Sequence, residues 1–373
     1  MRMLTVLGLL LLGCDPIEPR PVSPAVDAGI CPLNGCECTS GCFRPLCSDT
    51  LDYCGGPTCT SFQTDPANCG GCGRTCSPGR ACTAGKCEPD VIVGCAGPGA
   101  IQQVALAITP APPTALGFDV TSMALTGGVL AYADDARGEL VVGTARVAVD
   151  GGPTQLLGFG SVAYAVTGGT LSVLAGTQRS PLTALGTSTG PLAQHDQSLW
   201  ISGITDGGTR ELTRVELANP SVVAARLALP AHDGSLLPSA ITQARGALYL
   251  AFEDDQGWLV RLDTLTGAPR LRVIELGAGC HSPRGLGELD ALLAVSCTDK
   301  IVFLDDGDRV AKTWTSPGVT SPGPILTLST QLVVGDRLNG RIDVIGASGG
   351  QLTQPNSTKR PCEARVSVLL AAP

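Results

Sequence analysis

The feature that most constrains this fold is an internal repeat of about forty residues between residues 117 and 352. Most copies contain a leading leucine in an alternating apolar segment, an aspartate-bearing turn and a second alternating segment, as in "RGALYLAFEDDQGWLVRLDTLTG". The leading leucines, separated by 41, 28, 49, 44 and 40 residues, are Leu130, Leu171, Leu199, Leu248, Leu292 and Leu332. A repeat of this length matches one four-stranded blade of a β-propeller.

The composition beyond residue 96 also predicts a mainly β chain. Short apolar runs alternate with Gly, Pro, Asp and Asn turns, which is typical of a sandwich, barrel or propeller. Six visible copies predict six blades, and residues 96–116 could add a seventh. Three upstream segments are predicted to be innermost strands, whose small residues suit crowding around an axis: "VTSMAL", "SVAYAV" and "PSAITQA". A pair of two-sheet sandwiches is the alternative, because short-strand spacing fits it too.

The later copies resemble the blades of a known propeller type. In "ALYLAFEDDQGWLVRLDTLTG" one strand ends at an acid-containing turn and a second ends in Asp-x-x-Thr-Gly, which is similar to YVTN- and NHL-type β-propellers. The resemblance covers residues 240–352 well and 117–220 poorly. It implies a disc with a central channel and loops on two faces.

Cysteine is concentrated near the amino terminus. Of 17 cysteines, twelve lie within residues 31–87, and an exported chain with dense cysteine forms disulfides. Residues 31–90 also contain too few large apolar side chains to fold without such cross-links. We therefore predict a small disulfide-rich domain before the propeller, with a pairing that the sequence does not define. Its half-cystines are Cys31, Cys36, Cys38, Cys42, Cys47, Cys54, Cys59, Cys69, Cys72, Cys76, Cys82 and Cys87.

A zinc site at Cys69, Cys72, Cys82 and Cys87 is the alternative, because C-x2-C is a ligand spacing. Export favours disulfides over zinc. The stretch "TDPANCGGCGRTCSPGRACTAGKC" resembles a Stig1-like cysteine-rich repeat of exported myxobacterial proteins and of stigma-specific plant proteins. The resemblance implies a secreted disulfide module and no catalytic residues.

The amino terminus, "MRMLTVLGLLLLGCDPIEPRP", has the layout of a secretory signal peptide. Arg2 precedes an apolar run at residues 4–12, and Gly13 precedes Cys14. The stretch "LLGC" that ends at Cys14 resembles the lipobox of bacterial lipoproteins. This resemblance implies cleavage before Cys14 and attachment of palmitate-type acyl chains, of which two or three anchor a protein stably. An ordinary cleaved signal peptide is the alternative.

These features predict four segments and a location. The segments are a signal peptide at 1–13, the lipidated Cys14 with a proline-rich tether at 14–30, the disulfide-rich module at 31–90 and the propeller at 91–373. Four prolines in the tether favour an extended, semi-rigid spacer. We expect the protein in the cell envelope, anchored by lipid to a membrane and facing the periplasm or the cell surface.

Ring closure is predicted to join the two ends of the propeller, since an open propeller leaves bare strand edges. Residues 364–372 read as a strand that would pair in one blade with a strand within residues 91–108. The disulfides that this arrangement predicts are Cys95–Cys362 and, across a hairpin centred near residues 287–290, Cys280–Cys297.

Candidate chemistry is sparse. The net charge is −8 and no basic stripe is present, which argues against a nucleic-acid partner. The segment 305–308 resembles a calcium loop but lacks the D-x-D-x-D-G spacing and a distal glutamate, so we predict a solvated β-turn. We predict no cofactor, metal site or catalytic residue. The repeat aspartates are predicted to shape tight turns; they are Asp134, Asp135, Asp206, Asp254, Asp255, Asp299 and Asp336.

The expected function is that of a non-catalytic binding or scaffold lipoprotein, by analogy between propellers. Its partners would be the membrane, through the lipid, and an envelope protein or glycan. A lactonase- or hydrolase-type propeller enzyme is the alternative, with Ca²⁺ at the channel mouth held by the aspartates at 134–135 and 254–255. A purely structural envelope element is a third interpretation.

Overall fold

The computed structural model describes most of the propeller and part of the cysteine-rich module. It covers residues 52–53, 59–76, 82–83, 85–87, 91–97, 99–104, 114–149, 154–185, 189–205, 207–231, 237–263, 269–328, 331–348, 351–353 and 359–371. Within these ranges no helix is long and apolar enough to cross a bilayer. The predicted signal peptide, Cys14 and the tether lie outside the described residues, as do Cys31, Cys36, Cys38, Cys42, Cys47 and Cys54.

The strands between residues 91 and 371 form seven four-stranded antiparallel sheets. One edge strand of each sheet contacts the corresponding strand of the next sheet around a closed ring. That strand is therefore innermost, and the sheets are the blades of a seven-bladed β-propeller. The mainly β propeller prediction is confirmed, and the two-sheet sandwich alternative is wrong.

We number the strands of each blade from first, the innermost, to fourth. The blades are: blade 1, Met123–Thr126, Val129–Asp134, Glu139–Val142 and Ala145–Ala148; blade 2, Gln155–Phe159, Val162–Thr167, Thr170–Ala175 and Gln178–Ala184; blade 3, Thr189–His195, Ser198–Ile204, Arg210–Glu216 and Val223–Ala228; blade 4, Ala240–Ala244, Ala247–Phe252, Trp258–Asp263 and Arg270–Glu275; blade 5, Gly285–Leu289, Leu292–Ser296, Ile301–Leu304 and Val310–Trp314; blade 6, Pro322–Thr327, Gln331–Asp336, Ile342–Ser348 and Gln351–Thr353; blade 7, Arg365–Ala371, Val91–Ala96, Ala100–Val104 and Thr114–Ala115. A 3-10 turn, Gly277–Gly279, lies between blades 4 and 5.

Blade 7 closes the ring with strands from both ends of the domain. Its first strand pairs antiparallel with Val91–Ala96, so that Val366 lies opposite Cys95. Cys95 forms a disulfide with Cys362, with a Cα–Cα distance of 5.5 Å. Both the strand pairing and the disulfide are those predicted from the sequence. The seventh blade that residues 96–116 were expected to add is confirmed, and it is absent from the six visible copies because it is divided between the chain ends.

In blade 2 the leading leucine of the repeat lies in a different strand from the leading leucines of the other blades. Leu130, Leu199, Leu248, Leu292 and Leu332 all lie in second strands, whereas Leu171 lies in the third strand of its blade. The segment "SVAYAV", predicted as an innermost strand, corresponds to the second strand. The second strand contains no leucine, whereas the third strand contains Leu171 and Leu174, both buried. The third strand of blade 2 therefore resembles the second strands of the other blades in sequence.

The hydrophobic core is divided among the interfaces between neighbouring blades. Seven buried clusters each join two adjacent blades, and together they account for all seven interfaces of the ring. The second strand Ala247–Phe252 is buried at all six positions, because neighbouring blades cover both of its faces. The outer strand Val223–Ala228 instead alternates between half-buried and exposed side chains. Burial therefore falls from the inner strands to the rim.

Small residues are required where the innermost strands of blades 5 and 6 approach each other. A Cβ atom at Gly285 in blade 5 would lie 2.1 Å from the carbonyl oxygen of Gly323 in blade 6, which is far inside van der Waals contact. Glycine therefore sets the spacing of two neighbouring blades at the central channel.

The described part of the cysteine-rich module is organised by disulfides and by Asp65. Cys69 pairs with Cys82 and Cys76 pairs with Cys87. Side-chain hydrogen bonds from Thr60 and Asn68 and the backbone amide of Ala67 lower the pKa of Asp65. Two short hairpins complete this region: Asp52–Tyr53 with Cys59–Thr60, and Cys82–Thr83 with Lys86–Cys87. The prediction of a disulfide-rich segment before the propeller is confirmed.

Candidate functional site

The connections between blades and the turns after the second strands lie on one face of the propeller, which we call the connection face. Strand direction alternates within each antiparallel blade, so residues just before a first strand and just after a second strand meet there. Arg284 and Ser321 precede first strands, and Arg365 begins one. Glu253 and Arg337 directly follow second strands. We call these five residues the mouth cluster.

The mouth cluster lies at one end of the central channel. Arg284, Arg337, Arg365 and Glu253 line a cavity of about 500 Å³. First-strand residues of blades 3 to 7 line the same cavity, which identifies it as the channel. Its volume falls within the range of small-molecule sites, about 300–1,000 Å³.

Glu253 holds two arginines from different blades. Arg284 Nε donates to Glu253 Oε1 at 2.8 Å, and Arg337 Nη1 donates to the same oxygen at 3.0 Å. Arg284 Nη1 also donates to the Ser321 hydroxyl at 3.4 Å. The side chain of Arg284 is 19% exposed and that of Arg337 is 35% exposed. One carboxylate therefore orients two partly desolvated guanidinium groups at the channel opening.

The channel opening is positive on a negative protein. Among the described residues that line the cavity, three arginines face a single glutamate, so their formal charge is +2, whereas the chain carries −8. Arg365 is paired with Asp119 at 3.2 Å, and both side chains remain substantially exposed; when Asp119 is included, the formal charge is +1. The arrangement attracts an anion, since partial desolvation strengthens charge interactions.

Three of the repeat aspartates shape turns, as predicted: Asp134, Asp254 and Asp336. Asp254 Oδ1 accepts hydrogen bonds from the amides of Gln256 and Gly257 at 3.0 and 2.8 Å. Asp336 Oδ1 likewise accepts from the amides of Leu338 and Asn339 at 2.6 and 2.9 Å. Both aspartates are buried, so their carboxylate oxygens are used by the turns that they close.

In blade 1, Asp134 closes a turn, whereas Asp135 connects two blades. Asp134 is buried and accepts from the amide of Arg137 at 3.2 Å. Asp135 accepts from Thr121 Oγ1 at 2.6 Å and from the amide of Thr154 at 2.9 Å, which joins blades 1 and 2. Asp206 lies outside the described residues.

The prediction of a solvated turn at residues 305–308 is wrong for Asp308. Its side chain is fully buried and faces three arginines of blade 4. Arg245 Nη2 lies 2.7 Å from Asp308 Oδ1, and Arg261 Nη1 lies 2.9 Å from Oδ2. Arg272 is more distant, at 3.5 Å. The turn packs against the neighbouring blade, and this interblade contact has no signature in the local sequence.

Tyr249 completes this interblade cluster. Its hydroxyl lies 2.7 Å from Arg245 Nη2 and 3.1 Å from Asp308 Oδ1. Burial, reinforced by the negative charge of Asp308, raises the pKa of Tyr249 to about 12. Arg245 lies in the turn between first and second strands, on the face opposite the connection face, so this cluster is separate from the channel mouth.

Each of the ten cysteines in the described part of the chain is disulfide-bonded. The sulfurs of Cys69, Cys76 and Cys87 lie within 4.8 Å of one another, but all three belong to disulfides. They therefore offer no thiolate to zinc. Cys280 pairs with Cys297 across the first hairpin of blade 5, with a Cα–Cα distance of 5.0 Å, as predicted.

The mouth cluster was not identified from the sequence. Glu253 is 31 residues from Arg284 and 84 residues from Arg337, so no motif links them. The usable signal is the blade position that Glu253 and Arg337 share, immediately after a second strand. The described histidines do not converge: His195 lies in the first strand of blade 3, and His281 lies between blades 4 and 5.

No protein-family model and no curated protein matches this sequence. Solved structures similar to this one include a proposed 6-phosphogluconolactonase from Bacteroides uniformis, with 13% identity, coverage of 76% of this chain and 99% of that chain, and a TM-score of 0.56. A protein from Lactobacillus plantarum has 14% identity, coverage of 74% and 98%, and a TM-score of 0.55. The WD40 β-propeller domain of Doa1 has 12% identity, coverage of 67% and 86%, and a TM-score of 0.51. At these identities the similarity shows the β-propeller fold alone.

Proposed function

We propose that this protein is a non-catalytic binding propeller that is anchored in the cell envelope by lipid at Cys14 and recognises a protein or glycan. The mouth cluster is the observation that carries this proposal. Its principal groups are arginines, which stay protonated in proteins and therefore bind anions without serving as general bases. The site is thus suited to recognition.

The state of the cysteines supports the envelope location. All described cysteines are in disulfides, which form and persist in oxidising compartments. The apolar run at residues 4–12 followed by Gly13 and Cys14 supplies the export and lipidation signal. The proline-rich tether would hold the folded domains away from the membrane surface.

Substitution Cys14→Ser tests the anchor. In a bacterial host labelled with an alkyne analogue of palmitate, the full chain should carry the label and sediment with membranes. The C14S variant should lose the label and appear in the soluble envelope fraction, because no other site is proposed for acylation. The Cys280→Ser/Cys297→Ser variant is the control, since it removes two other cysteines and should keep the label. An unlabelled wild-type protein, or a labelled C14S variant, contradicts the lipid anchor.

The calcium-dependent lactonase or hydrolase alternative requires carboxylates that are available to a cation. Asp134 and Asp254 instead accept hydrogen bonds from their own turns, and Glu253 is shared by two arginines. The melting temperature should therefore be the same in excess Ca²⁺ and in excess chelator. A site occupied at 100 times its dissociation constant would stabilise the fold by about 2.7 kcal/mol, so a rise of several degrees in Ca²⁺ would favour the enzyme.

A further inference from the structure

We infer that the mouth cluster binds an oxyanion, a carboxylate or a phosphate, carried by a ligand of sugar size that enters the channel. This inference rests on the proposed binding function and names the ligand class for the same site. The starting observation is the convergence of Arg284, Arg337 and Arg365 on one cavity that Glu253 alone counters from within.

The two central arginines retain unused hydrogen-bond donors. Arg284 uses Nε on Glu253 and Nη1 on Ser321, and Arg337 uses Nη1 on Glu253. Among the described residues, the Nη2 groups of both arginines and Nε of Arg337 have no acceptor. Guanidinium groups present planar pairs of donors that match carboxylate and phosphate oxygens. An entering oxyanion would satisfy these donors.

Glu253 fixes the direction of the two guanidinium groups. It contacts both arginines through one oxygen, Oε1, and this shared contact holds together side chains that would otherwise repel each other. It neutralises only one of the two charges, so a net positive charge remains for a ligand. The role of Glu253 is therefore to position the arginines.

The surroundings favour a small polar ligand. The cavity of about 500 Å³ can hold one or two sugar units by comparison with known sites. The hydroxyl of Ser321 lies beside Arg284, and Ser239 and Thr121 line the cavity. The Ser239 hydroxyl donates to the carbonyl of Pro283 at 2.7 Å and the Thr121 hydroxyl donates to Asp135 Oδ2 at 2.6 Å, so both can accept hydrogen bonds from sugar hydroxyls. A sugar acid and a sugar phosphate share the required oxyanion, and binding experiments distinguish them.

Isothermal titration of the full chain with glucuronate, glucose 6-phosphate and glucose tests the inference. We expect one or both anions to bind, with an affinity that falls as salt rises, and glucose to bind at least tenfold more weakly. The Arg284→Gln/Arg337→Gln variant should bind the anion at least a hundredfold more weakly, because it removes two charge-assisted donor groups at once. The anion that binds more tightly identifies the source of the oxyanion.

Arg146→Gln is the matched control for each lost charge. Arg146 lies on the outermost strand of blade 1 and pairs with Glu139 at 2.6 Å, so its loss should leave anion binding unchanged. If the double variant fails to fold, Arg365→Gln replaces it in the binding experiment. The Arg365 side chain is half exposed, so its replacement should not unfold the protein. That variant should weaken anion binding several-fold while keeping the wild-type melting temperature.

Three results would overturn the oxyanion assignment: no binding of either anion, equal anion binding by wild type and the arginine variants, or equal binding of glucose and the anions. Glucose binding that is insensitive to these substitutions would reject the assignment and leave the proposed binding function in place. The lipid anchor is read separately, from the C14S labelling experiment.

Discussion

Replacing both Cys95 and Cys362 with alanine is expected to lower the free energy of unfolding by about 5 kcal/mol. The disulfide joins residues that are 267 positions apart, so it closes nearly the whole propeller into a covalent ring. Freeing so long a loop gives the unfolded chain more entropy than freeing a short one. Equilibrium urea denaturation followed by tryptophan fluorescence measures the change.

The disulfide Cys280–Cys297 provides the matched control. Its cysteines are buried to the same degree as the other pair but are only 17 positions apart. Its double alanine variant should lose about 3 kcal/mol, which leaves a difference of about 2 kcal/mol between the two variants. Equal losses, or a greater loss from the short-loop pair, would show that the Cys95–Cys362 disulfide does not stabilise the propeller through the length of the loop that it closes.

Replacing Asp308 with alanine should lower the free energy of unfolding by about 3–5 kcal/mol. The carboxylate is fully buried and pairs with Arg245, whose side chain is only 9% exposed, and with Arg261. Removal of the acid would leave two positive charges close together at the interface of blades 4 and 5. Thermal and urea denaturation of the full chain measure the loss.

Asp263→Ala is the comparison for the Asp308 variant. Asp263 also pairs with Arg261, at 2.8 Å, but its side chain is 43% exposed. Exposed ion pairs contribute about 0–1 kcal/mol, so this variant should be close to wild type. An Asp308 variant that is as stable as the Asp263 variant would mean that water or rearrangement satisfies the arginines, and the buried ion cluster would lose its stabilising role.

Much of the fold was predictable because blade structure is local. Alternating strands and aspartate turns predict the second strands around Leu130, Leu199 and Leu248, and the structure confirms them. The predicted strand order was wrong in blade 2, where Leu171 belongs to the third strand. Hydrophobic alternation has the same period in every strand, so it cannot by itself number the strands of a blade.

The candidate site was much less predictable than the fold. The sequence suggested Asp254 and Asp308 as candidate calcium ligands. The structure places Asp254 in a turn and Asp308 in a buried ion cluster. Glu253, Arg284 and Arg337 each look like ordinary turn residues along the chain. Their meaning depends on the neighbouring blades that present them to the same channel.

The sequence by itself determined the parts of this protein that follow from local pattern: strands, tight turns, a cysteine-rich segment and a closing strand at the carboxyl end. Only the tertiary structure decided that there are seven blades, that Asp308 is buried among arginines and that the mouth cluster exists. The physical reason is that these features arise where different blades meet. Residues 31 to 84 positions apart come together there, and no local periodicity records which side chains will become neighbours when the ring closes.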